Sequence, residues 1–334
     1  MRYFIEHTTR FLYSHPVHEN LTEIRMAPRT EGNQRCFQFR LTTRPNVQVL
    51  RYDDHFGNVV YHFDVPTPHA KLEIHASAAV EVEAAPELPE SLTGGEWDRL
   101  DALRDDGEFW DWLQPSHFAT RTKALDQLAR SLKLDDRRHD PLTTLRAVNR
   151  GIYRRFAYNS EATAVDSPID EAIRLKSGVC QDFAHIAIAL LRRLGIPARY
   201  VSGYLFHEGS DRDVASNASH AWVEAYLPSL GWIGIDPTND RIAADHHIRI
   251  GVGRDYADVP PTKGVYKGEA DSELAVAVSV SKTRREPVQD AALHIVRRSN
   301  LAGTGRVPGL ELGQQQQQQQ RLDRQQQQEE QQQQ

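Results

Sequence analysis

Three residues that together can move an acyl group stand in order along the chain: Cys180, His220 and Asp236. Cys180 opens the apolar run "CQDFAHIAIALLRRLGIP". Within it Phe183, Ile186, Ala187, Leu190, Leu191 and Leu194 recur every three or four residues, which predicts a helix with one buried face. Gly195 suits the left-handed position that closes a helix, and Pro197 prevents its continuation. Cys180 then lies in the first turn, where unpaired N–H groups and the positive dipole end favour an anion. A thiol at such a place ionises more readily, and the thiolate is the nucleophile. A cysteine alone is more often simple packing, so its partners decide.

Those partners come from strands. "SHAWVEAYL" sets His220, Trp222, Glu224 and Tyr226 on one face, and Ala221, Val223, Ala225 and Leu227 on the other. "GWIGIDPT" supplies a second strand ending at Asp236. A hairpin around "PSLG" returns Trp232 beside Tyr226 and brings Asp236 near His220. Alone, His220 reads as a core histidine and Asp236 as a turn former before Pro237. Together with the thiol they form a unit in which imidazole takes the proton and carboxylate orients and stabilises the imidazole.

Fifteen histidines invite a search for metal ligands. His246 with His247, His15 with His18, and Asp182 with His185 are the pairs to weigh. None has a second cluster at zinc-like spacing, and HExxH is absent. No metal and no cofactor are expected, and His185 reads as structural. Nucleotide motifs such as GxxxxGK and GxGxxG are missing.

The elements that would position the three residues follow from periodicity. Residues 1–85 alternate in "YFIEHTTRFLYS", "CFQFRLTT" and "KLEIHASAAVEVE", with turns such as "DDHFGN" between strands. A bulge is expected near the alanines of the last segment. Helical spacing takes over after the Pro-rich "APELPESL", and Asp140 followed by Pro141 reads as an N-cap. Strands return at "ARYVSGYLF", at the hairpin and at "ELAVAVSVSKT". Helices grouped before strands indicate α+β rather than a doubly wound sheet. The expected division is a β-sandwich-like domain at 1–85, a helical segment at 86–140 packing on a core at 141–290, and a disordered Gln-rich tail at 291–334.

A net charge of −6 offers no basic surface for nucleic acid or anionic lipid. No run approaches the ~20 apolar residues of a membrane helix. The charged N-terminus does not read as a signal peptide, and two cysteines in unlike contexts suit a reducing compartment. A cytoplasmic location, without nucleic-acid or membrane partners, is expected.

"GVCQDFAHIAIALLRRLGIPARYVSGY" followed by "SHAWVEAYLPSLGWIGIDPTND" resembles the core of the bacterial transglutaminase-like superfamily. "HTTRFLYSHPVHENLTEIRMAPR", "DDHFGNVVYHF" and "GRDYADVPPTKGVYKG" resemble the flanking parts of its stand-alone bacterial members, so the resemblance runs over about residues 1–285. It implies a papain-like core of helices packed on an antiparallel sheet, behind an N-terminal antiparallel β domain. It also implies thioester chemistry by Cys180, His220 and Asp236 on a peptide or protein substrate. Water or an amine would be the acceptor, with hydrolysis favoured. The Cys180 N–H is an expected oxyanion donor, with Tyr158 or Gln181 as the second. The competing expectation is a non-catalytic scaffold that binds peptide or cell-wall fragments.

Overall fold

The computed structural model describes residues 1–92, 94–134, 137–207 and 219–283. The Gln-rich tail, with its expected disorder, lies outside the described residues. Five strands open the chain: β1 (Arg2–Ile24), β2 (Gln34–Arg44), β3 (Leu50–Asp53), β4 (Val59–Val65) and β5 (His69–Val82). β1 is long enough to serve two sheet segments. Its first half pairs with β5, and its second half pairs with β4. Alternation runs unbroken along β5 from Leu72 through Ile74, Ala76, Ala78 and Val80 to Val82, all buried. The expected bulge is therefore not in β5. It sits opposite, in β2 between Cys36 and Gln38, where the partner strand takes up the extra residue.

The middle of the chain is helical: α1 (Glu96–Ala102), α2 (Trp110–Leu113), α3 (Lys123–Ser131), α4 (Pro141–Arg155), α5 (Ile169–Leu175) and α6 (Cys180–Leu194). Asp140 caps α4, accepting the Leu142 and Thr143 N–H groups at 3.0 and 3.2 Å. Two short strands, β6 (Ala157–Tyr158) and β7 (Ser177–Gly178), pair in parallel just before α6.

An antiparallel sheet follows, built from β8 (Ala198–Leu205), β9 (Ser219–Leu227), β10 (Gly231–Asp236), β11 (Arg241–Ile242) and β12 (His247–Gly253). Its spatial order is β11-β10-β9-β8-β12. Ala221, Val223, Ala225 and Leu227 join α6 in one core. Where the sequence predicts one buried face, α6 is buried all round except at Arg193. The sheet covers one side and α3, α4 and α5 cover the other. The polar residues this encloses, Asp182, His185 and Arg192 among them, all have hydrogen-bond partners.

β13 (Thr262–Lys267) and β14 (Ser272–Lys282) leave this sheet and pair antiparallel with β1. Residues grouped with the 141–290 core by sequence thus complete the N-terminal sheet. The two halves meet through Asn58, fully buried, whose amide accepts from and donates to the Val252 backbone at 2.8 Å each way. Among the described residues no helix is long and apolar enough to cross a membrane.

Candidate active site

Asp182 sets where α6 begins. Val179 is extended (φ −115°), and the Asp182 carboxylate reaches back to accept its N–H at 2.8 Å and the Thr163 hydroxyl at 2.6 Å. Burial pushes Asp182 up to about 6, against those two hydrogen bonds. At the far end Gly195 takes φ 83°, as the sequence requires. Beside it the buried Arg192 donates to the carbonyls of Trp112, Gln114, Ala198 and Arg254. Cys180 is therefore the first residue of a helix fixed at both ends.

His220 enters from the start of β9. The hairpin register pairs Trp232 with Tyr226 and Ile235 with Val223. One step further along, Asp236 comes opposite Trp222, which makes His220 its diagonal neighbour on the same face. The His220 Nε2–H donates to Asp236 Oδ2 at 2.8 Å. Cys180 lines the same small cavity as this imidazole and pushes its proton affinity up. With Nε2 committed to Asp236, Nδ1 is the nitrogen left for the thiol. The turn of this hairpin is itself anchored, because the buried Glu96 of α1 accepts the Ser229 N–H at 2.8 Å and its hydroxyl at 2.6 Å.

Electrostatics follow the geometry. Burial opposes a charged His220, but the Asp236 charge and hydrogen bond, and then Cys180, outweigh it and push the imidazole up to about 10. Burial acts upward on Asp236, yet His220 and His247 hold its carboxyl well below the usual carboxylate range. Trp222 keeps the pair dry: it is fully buried, stacked 6.2 Å from His220 and edge-on 5.2 Å from His247. The indole lies across Gly203, where a Cβ would stand 2.4 Å from the ring and 2.3 Å from the Ile248 carbonyl oxygen. Gly203→Ala is expected to displace the indole and cost about 1–3 kcal/mol, read from urea unfolding. An unchanged unfolding midpoint would show that the indole does not depend on this gap.

Residues 127–237 match the model of the transglutaminase-like superfamily, and residues 3–81 match that of the bacterial transglutaminase-like N-terminal region. An uncharacterized protein of Mycobacterium leprae (strain TN) is 35% identical over 281 residues, covering 83% of this chain and 98% of that one. The chain belongs to the transglutaminase-like superfamily. An uncharacterized protein of Mycobacterium tuberculosis (strain ATCC 25618 / H37Rv) is likewise 35% identical, over 314 residues, covering 88% and 95% of the two chains. A protein-glutamine gamma-glutamyltransferase of Pseudomonas aeruginosa matches locally, at 38% identity over 92 residues, 25% of this chain and 13% of that one. Among solved structures, a protein of Cytophaga hutchinsonii provisionally described as a cysteine protease superposes with a TM-score of 0.64 at 22% identity, covering 86% and 93% of the chains. That likeness shows a shared fold: α+β, an N-terminal antiparallel sheet and a papain-like core.

In this transglutaminase-like core a cavity of about 30 Å³ opens at Cys180 and His220, walled by Tyr200, Ser202, Tyr256 and Pro261. Sequence reasoning named neither Tyr200 nor Ser202, while Tyr256 and Pro261 fall in the "GRDYADVPPTKGVYKG" stretch that it read as wrapping the core or lining the acyl cleft. Alternation in "ARYVSGY" carried the signal for two of them, since Tyr200 and Ser202 share a face of β8. The two expected second oxyanion donors do not wall this cavity. Gln181 Nε2 instead donates to the Val165 carbonyl at 2.7 Å, and Tyr158 is half exposed on β6.

The histidine pairs separate. His185 is a packing residue, stacked on Phe118 and accepting the Tyr256 N–H at 3.2 Å, and burial holds it below its ordinary value. His15 is exposed beside Ser14. His247, however, lies on Asp236. With His220 these side chains place one ligand atom each within 4.8 Å of one another. The Asp236 oxygens already accept five hydrogen bonds, from Thr238 N, Asn239 N, Asn239 Nδ2, His220 and His247. The cluster is thus a saturated hydrogen-bond network, which leaves no lone pair open to an ion without breaking it.

Proposed function

We propose that this protein is a thiol-dependent acyl-transfer enzyme acting on peptide or amide bonds. The reading rests on one observation above all: a buried carboxylate holds one nitrogen of His220 while a cysteine at a helix start lines the same small cavity as that imidazole. The Cys180 thiolate attacks the carbonyl carbon, forming a C–S bond and a tetrahedral oxyanion. The Cys180 N–H, one of the helix donors without an i−4 acceptor, is the donor this step assigns to that oxygen. Collapse breaks the C–N bond as His220 Nδ1–H gives its proton to the leaving nitrogen. Water, or an amine, then attacks the thioester, returns a proton to His220 and releases the thiolate. Water is favoured as acceptor because it is always present, whereas an amine needs a shielded site of its own.

The test is iodoacetamide alkylation of Cys180 against pH, with Cys36 as internal reference. Burial pushes the Cys36 thiol up to about 11, so it should react slowly throughout. Cys180 is expected to label rapidly near pH 6, and His220→Ala to abolish that labelling. Labelling that rises only near the ordinary thiol range of about pH 8–9, and is indifferent to His220, would leave the scaffold reading in its place. A positive result would be followed by peptide amides and a labelled amine as competing substrates.

A further inference from the structure

His247 makes two contacts that fix its chemistry. Its Nδ1 accepts the Ala244 N–H at 3.3 Å, so the ring proton is on Nε2. That Nε2–H donates to Asp236 Oδ2 at 3.1 Å, the oxygen that also accepts from His220 at 2.8 Å. The ring is buried, wedged edge-on against Trp222 and 6.2 Å from His220. One carboxylate oxygen is thus shared by two imidazoles from β9 and β12, strands that β8 separates.

We propose that His247 is a positioning residue for His220: by donating to the same oxygen it pins the Asp236 carboxylate and tempers the charge that His220 meets. This rests on the reading of His220 as the acid–base group of an acyl transfer. An imidazolium facing an undiluted buried carboxylate holds its Nδ1 proton too tightly to give it to a leaving nitrogen. A second N–H donor on that oxygen withdraws electron density from it, so the proton is released more easily. His247 itself stays neutral, because burial lowers its proton affinity despite the Asp236 hydrogen bond. Among the described residues, the titratable groups facing it are Asp236 from β10, His220 from β9, its chain neighbour His246, and His207 after β8.

Two variants separate this role from packing. Gln places an amide N–H near the Nε2 position and preserves the bond to Asp236. Asn keeps a polar contact to Ala244 but falls short of Asp236. Side-chain ¹⁵N shifts of His220, followed against pH in the full chain, read the effect directly. His247→Asn is expected to raise the His220 midpoint by about half a pH unit or more, and His247→Gln to leave it within ~0.3 units. Equal shifts in both variants, or none in either, would overturn the assignment. If His247→Asn does not fold, His247→Ala takes its place with the same expectation. The readout does not require turnover. An unreactive Cys180 with a His220 midpoint that still responds to Asn alone would sink the acyl-transfer reading and leave the role of His247 standing.

Discussion

Asp236→Asn is expected to lower turnover on the order of 10³–10⁴-fold, the size found when a triad carboxylate of a serine protease is replaced by its amide. Asp236 is fully buried and receives five donors, so it needs to be an acceptor on every side. An asparagine must turn its NH₂ toward one of two sets of donors. Facing Thr238 and Asn239, it opposes two backbone N–H groups. Facing His220, it forces Nε2 to accept and moves the ring proton to Nδ1, where it confronts the thiol. Either arrangement also removes the charge that does most to keep the imidazole protonated, leaving burial opposed by Cys180 alone. Labelling of Cys180 near pH 6 should collapse with it, while Cys36 labelling stays as it was. Equal Cys180 rates in the two proteins would remove Asp236 from the mechanism.

The same substitution carries a pH signature. The folded pKa of His220 is raised from 6.5 to about 10, so its contribution to stability is complete below about 6.5 and lost as pH rises through 10. Asp236 is depressed, so its contribution is present above its ordinary 3.8 and is lost only in strong acid. The stability gap between wild type and Asp236→Asn is therefore widest between about pH 4 and 6.5 and should narrow steadily as pH rises from there to about 10.

Much of the site could be read in advance because its parts are local. The start of α6 and its stop at Gly195 are encoded within twenty residues, and the His220–Asp236 approach depends on a hairpin with a short turn. What could not be read depends on distant pairing. Alternation in "ELAVAVSVSK" predicts a strand and its buried face, but nothing in the period names β1, some 270 residues earlier, as its partner. His247 shows the same limit. Its neighbour His246 drew attention to the pair as possible metal ligands, while the meaningful contact is with Asp236 across a turn whose path periodicity does not describe. Polar residues of α6 were equally opaque, since burial of Arg192 is set by carbonyls from three separate segments, the end of α2 at Trp112 and Gln114, the start of β8 at Ala198, and Arg254.

Arg199→Ala should cost about 3–5 kcal/mol, the range for stranding a buried charge. Arg199 donates to Glu224 at 2.8 Å and to Glu31 at 3.1 Å, and its guanidinium lies 4.3 Å over the Trp232 ring. The Arg199 and Glu224 side chains are only 7% and 4% exposed, so water cannot replace either partner. Without Arg199, the cation left to Glu224 among the described residues is Arg249, at 3.3 Å. Burial works against a charged Glu31, but Arg199 and Arg29 hold its carboxyl down at about 2. That contribution is present above its ordinary 4.5 and lost as pH falls through 2, so the deficit of the variant should shrink in acid. Salt should change it little, since the pair is shielded from solvent. Arg199→Lys cannot span both carboxylates with one ammonium and should recover only part of the loss. Glu224 lies on the face of β9 that carries Trp222 and His220, while Glu31 belongs to the N-terminal half. The pair therefore ties the strand that presents His220 to the domain beside it, and a loss below about 1 kcal/mol, as at an exposed pair, would show that this tie does not hold the two halves together.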